Sequence, residues 1–97
     1  MSEENKHYIE AIIDEAEDIE SHLCNAIGVG KEAAIDINIE IRWLLEHRLF
    51  SFAGALADRL SRVCESLEYI KQALDKVEVL KDLARKAQDE EGGDTHE

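Results

Sequence analysis

Glu15, Asp18 and His22 stand three and four positions apart, so a helix would set two carboxylates and an imidazole on one face, within reach of a cation. The remaining motifs argue against carrying this further. Di-iron bundles take a Glu-x-x-His pair from each of two helices with further Glu ligands, and the chain has that spacing once, at Glu4 and His7. His22, Cys24, His47 and Cys64 lack the paired-cysteine knuckle of a structural zinc site. Gly28-Val29-Gly30-Lys31 has the end of a phosphate-binding loop, but Glu32 stands where Ser or Thr is required, and no strand precedes it. A helix stop followed by a helix start accounts for the glycines. Cys24 adjoins Leu23 and Cys64 adjoins Val63, positions suited to thiols that behave as small hydrophobes. The expectation is a chain with no catalytic residue, no metal and no cofactor.

Two helical enzyme families bear comparison by size. The Glu17 and Glu20 spacing resembles the first carboxylate pair of the helical nucleotide pyrophosphohydrolases, but Glu32 and Asp36 are four apart where the second pair needs three. The stretch IIDEAEDIESHL is similar to the first helix of the helical chorismate mutases. Their dianionic substrate requires inward Arg and Lys, and the first 27 residues hold only Lys6.

The elements that would position these residues are helical. The 97 residues contain no proline and are rich in Ala, Leu, Ile, Glu and Lys. A first helix is expected over about 2–27, capped by Ser2, with Glu3 and Glu4 in its first turn. Its apolar face is Ile9, Ile12, Ile13, Ala16, Ile19, Leu23, Ala26 and Ile27, with Tyr8 at the edge. Gly28 and Gly30 would end it. A second helix is expected over about 31–48. From Ile35 to Trp43 its apolar and polar residues alternate as in a strand, but a lone strand would leave its backbone groups unpaired. As a helix the segment has two apolar stripes. One is Ala33, Ala34, Ile37, Ile41, Leu44 and Leu45; the other is Ile35, Ile39 and Trp43, continuing towards Phe50. A helix apolar on two sides is central in a bundle or covers a partner.

A third helix, over about 52–89 and capped by Ser51, carries the clearest pattern. Ala53, Leu56, Leu60, Val63, Leu67, Ile70, Leu74 and Val77 form an unbroken heptad seam, which shifts to Leu80, Leu83 and Ala87. Such a helix is about 57 Å long, against a radius of gyration of about 12–13 Å for a compact domain of this size. It therefore projects and calls for a second chain. The expected fold is all-α: a single domain over 1–90 of three helices, the third a long heptad-patterned one, forming a helical-bundle or coiled-coil homodimer, with a flexible acidic tail over 91–97.

Charge and aromatic content suggest what such a protein does. Its net charge is −12. Residues 1–27 hold eight acids against one Lys, residues 28–88 ten acids against ten bases, and residues 89–97 five acids and no base. That distribution excludes nucleic acid and anionic membranes as direct partners and favours a protein with a basic surface. Glu10, Asp14 and Glu17 recur about 5–6 Å apart along the helix axis, close to the spacing of phosphates on a nucleic-acid strand. Trp43, Phe50 and Phe52, the chain's one Trp and both its Phe residues, fall within ten positions beside Arg42, and Trp and Arg are enriched at interface hot spots. The expected interface to a second copy or another partner is Ile35, Ile39, Arg42, Trp43, Phe50, Phe52, Leu60, Val63, Leu67, Ile70 and Leu74. The acidic partner-binding face is Glu10, Asp14 and Glu17. No apolar run reaches the roughly 20 residues a bilayer needs. The start MSEENKHY has no basic region leading into an apolar stretch, and two cysteines make no disulfide framework, so a cytoplasmic protein is expected. In type the chain resembles the small acidic helical proteins of mobile elements that block a host enzyme. A structural or regulatory coiled-coil subunit is the alternative, and an acidic-site metal-dependent hydrolase a remote one.

Overall fold

The computed structural model describes residues 3–94. It has two helices, α1 (Glu3–Glu46) and α2 (Phe50–Asp94), joined by a three-residue turn, and the described residues contain no strand. All-α architecture is therefore as expected, and the alternating segment 35–43 is helical. The number of helices is not: the expected breaks at 27–31 are absent, and the first two expected helices are one element. Ser51 lies inside α2 rather than capping it, α2 extends into the expected tail as far as Asp94, and Ser2 and residues 95–97 lie outside the described residues.

The heptad seam of α1 explains why the helix does not stop at its glycines. Ile9, Ile13, Ala16, Glu20, Leu23, Ile27, Gly30, Ala34, Ile37, Ile41 and Leu44 are each buried or half-buried and recur at alternating steps of four and three. Gly30 is thus a seam residue. A Cβ at this position would collide with the Leu67 side chain, whereas at Gly28 it would meet open space. No glycine among the described residues has a positive φ. A helical glycine costs about 1 kcal/mol relative to Ala, and at Gly30 the space it leaves admits Leu67.

The α2 seam runs longer than expected. Beyond Val77 it keeps its register through Lys81, Ala84 and Gln88, each buried or half-buried, while Leu80 and Leu83 are exposed. The shift of face predicted from Leu80, Leu83 and Ala87 is corrected: a lysine occupies the seam position, so a search for apolar residues alone turns aside there.

The turn reverses the chain without Gly or Pro. Arg48 takes the left-handed conformation, φ 58°. The Leu49 amide donates to the Leu44 carbonyl at 2.9 Å and the Arg48 amide to Leu45 at 3.1 Å, the Schellman pattern that satisfies terminal carbonyls of a helix. The Leu49 carbonyl then accepts from the Ala53 amide at 3.0 Å, opening α2.

The helix pair divides into two compact units. Unit 1 joins the segment up to Leu23 with that from Ala73 onward, and unit 2 is Cys24–Gln72. Unit 1 is centred on Ala16 and Ala84, and unit 2 on Leu44 and Ala53; these four are the buried apolar residues among those described. Gly28→Ala is predicted to stabilise the fold by about 1 kcal/mol. Gly30→Ala should lie at least about 1 kcal/mol below Gly28→Ala, because displacing Leu67 overpacks the seam. Denaturant melts followed by helical circular dichroism check this; equal stabilisation by both would contradict the packing at Gly30.

Candidate interaction surfaces

With the seam of each helix lettered a and d, the flanking g positions line one side of the pair and the e positions the other. In unit 1 the g positions are Ile12, Ile19, Ala73, Leu80 and Ala87, and the e positions are Glu10, Glu17, Glu78 and Arg85. One flank is apolar and the other charged. The apolar flank holds a groove of about 500 Å³ lined by Tyr8, Ala11, Ile12, Glu15, Ala16, Ile19 and Leu80. On the charged flank, Arg85 Nη2 donates to Glu17 Oε1 at 3.1 Å with both side chains half-exposed, a pair worth little in water.

In unit 2 the g positions are Ala26, Ala33, Glu40, Phe52, Arg59 and Ser66, a mixture of small, charged and aromatic residues. A groove of about 270 Å³ lies over Ala26, Val29, Gly30, Ala33, Ser66 and Leu67, and a second of the same volume over Glu40, Leu44, Phe52 and Arg59. On the outer face of α1 the predicted stripe Ile35, Ile39 and Trp43 is exposed, by 59%, 61% and 52%. His47 stacks on Trp43, with ring centroids 4.0 Å apart, and its Nδ1 donates to the Trp43 carbonyl at 2.8 Å. The stacked imidazole lies against the indole, and Trp43 remains about half-exposed. Phe50 and Phe52 are exposed at the start of α2, and Arg42 is exposed beside Trp43.

Leu60, Val63, Leu67, Ile70 and Leu74 lie elsewhere. They are half-buried seam residues of α2, and Leu67 reaches Gly30 of the same chain. The residues of the expected interface differ in exposure: these five are half-buried, while Ile35, Ile39, Arg42, Trp43, Phe50 and Phe52 are exposed. The acidic set divides too. Glu10 and Asp14 are exposed, whereas Glu17 is engaged by Arg85. Cys24 and Cys64, expected near the core, are exposed thiols. Glu15, Asp18 and His22 are exposed, and the described residues contain no group of three His, Cys, Asp or Glu side chains arranged to hold a metal.

The unit 1 seam holds an ion pair that apolar spacing does not reveal. Lys81 Nζ donates to Glu20 Oε2 at 2.6 Å, with 14% and 29% of the two side chains exposed. The signal was available: the step from Ala16 to Glu20 to Leu23 keeps the seam rhythm, as does the step from Val77 to Lys81 to Ala84. Such a pair opposes desolvation with attraction, and losing one partner strands the other.

Together these features define an all-α helical hairpin with asymmetric flanks. No family model matches the chain, and neither the curated proteins nor the solved structures yield a match. No described helix is long and apolar enough to cross a membrane. Lys81→Leu alone is predicted to destabilise the hairpin by about 1–3 kcal/mol, and adding Glu20→Leu should restore or exceed the original stability. Denaturant titration at equal chain concentration measures both; a single variant as stable as the double would show that Glu20 is not desolvated in the seam.

Proposed function

We propose that the protein is a non-catalytic protein–protein interaction module: a small acidic adaptor or inhibitor that acts as a homodimer and engages a second protein through a basic surface on that protein. One observation carries the reading. Among the described residues fifteen large apolar side chains are exposed, while only four apolar residues are buried. Scattered exposed hydrophobes are ordinary, but an excess this large leaves apolar surface for other chains to cover.

The acidic character supports the second half of the reading. The −12 charge is concentrated at the two ends of the sequence, and Glu10 and Asp14 are exposed. Carboxylates repeated along a helix can occupy a groove that otherwise takes phosphates, and they raise the rate of encounter with a basic surface. Trp43, backed by His47, supplies the apolar anchor that charge alone lacks.

Affinity capture from the native host is expected to retain a nucleic-acid-binding protein that added DNA releases. Glu10→Lys with Asp14→Lys should weaken that capture by roughly tenfold or more at low salt. Capture indifferent to both DNA and charge reversal would overturn the inhibitor reading.

A further inference from the structure

The apolar flank of unit 1 is bordered by acids on α1 and by lysines on α2. We propose that it packs on the same flank of a second copy about a two-fold axis running along the helices, so that α1 of each copy lies over α2 of the other and Glu15 meets Lys86 of the partner subunit. This rests on the homodimer reading and adds the surface, the direction and one contact. It involves unit 1 alone.

The flank is apolar at its centre. Ile12, Ile19 and Leu80 are exposed there, around the groove of about 500 Å³ whose lining includes one charged residue, Glu15. Val79 and Leu83, also exposed, extend the apolar surface on α2. A second hairpin laid on this face completes a four-helix bundle and supplies the missing layer.

Charge sets the direction. Next around each helix from the g residues come the c and f positions. On α1 these include Glu4, Glu15 and Asp18, and on α2 Lys76 and Lys86, with Glu90 near the end, all exposed. Glu10, Asp14, Glu17, Asp75, Glu78 and Asp82 stand at b and e positions, turned away from the flank. Two isologous arrangements bring one flank onto itself. Turned end over end, the second copy would lay α1 on α1 and α2 on α2, acidic rim on acidic rim, within a Debye length of about 8 Å at physiological salt. Turned about an axis along the helices, it lays each acidic rim on a basic one.

The ion pair across the hairpin gives the level of the contact. Lys81 meets Glu20. The helices run antiparallel, so Lys86, five positions on, stands level with Glu15, five positions back. A two-fold axis along the helices preserves every level and sets Glu15 opposite Lys86 of the partner subunit, once on each side.

Thiol cross-linking in a Cys24→Ser, Cys64→Ser background reads the direction. Ala73→Cys and Ala87→Cys mark two points of the flank, about 21 Å apart along α2. An axis along the helices brings each residue to its own counterpart, so each variant alone should be joined to itself by a short bis-maleimide. An end-over-end axis serves at most one of them. Failure of either to self-link, or preferential joining of the two variants to each other in a refolded mixture, would overturn the direction. Charge exchange reads the contact. Glu15→Lys and Lys86→Glu should each raise the dimer dissociation constant by roughly 3- to 10-fold at low salt, and the two in one chain should return it to within about twofold of the original. Light scattering over a dilution series measures all three; a double variant no tighter than the singles would overturn the Glu15–Lys86 contact. Leu80→Glu should raise the constant by roughly 100-fold or more, and Leu80→Ala should give a smaller loss in the same direction, with circular dichroism separating dissociation from unfolding. A dimer indifferent to Leu80→Glu would overturn the choice of flank while the homodimer reading stands. A chain monomeric at every concentration would overturn both.

Discussion

Two helices that meet along one stripe can cover a residue only from one side. Across the pair Gly30 faces Leu67 and Glu20 meets Lys81, and even seam residues such as Leu60, Leu67 and Ile70 remain half-exposed. Among the described residues the buried apolar ones are Ala16, Leu44, Ala53 and Ala84, three of which are alanines short enough to be covered by neighbouring side chains. Every other feature follows from this constraint. The exposed isoleucines, the tryptophan and the grooves are what remains when a heptad-patterned sequence folds back on itself with no third layer. Larger assemblies of helices solve the problem by adding members to the bundle, and small chains commonly do so by association.

The seam also shows how polar residues are admitted to such an interface. Glu20 and Lys81 occupy positions where Leu or Ile would pack better, and the pair is viable because each satisfies the other. Gly30 is a parallel case in which a poor helix former is kept because the facing Leu67 needs room. In both, a local preference yields to a requirement set by the other helix.

That is also where the sequence was hard to read. The heptad steps from Ala53 to Val77 and the two apolar stripes of residues 33–45 were legible because they consist of apolar residues at regular spacing. The continuity of α1 through Gly28 and Gly30 was not, because glycine signals a helix end and only the position of Leu67 reveals the other use. The seam beyond Val77 was lost for the same reason: Lys81 reads as solvent-facing until its partner, 61 positions away, is seen. The outward placement of Ile35, Ile39 and Trp43 followed from their spacing. The half-burial of Leu60, Val63, Leu67, Ile70 and Leu74 beside that exposed stripe did not, because a heptad does not say how deeply its residues are covered.

The central claim is that a second copy covers the apolar flanks, and sedimentation equilibrium of the unmodified chain tests it most directly. The account predicts a species of twice the 11.0 kDa chain mass at micromolar concentration, dissociating on dilution with a loss of helical stability. A single species of 11.0 kDa at all concentrations, still helical and cooperatively folded, would contradict it.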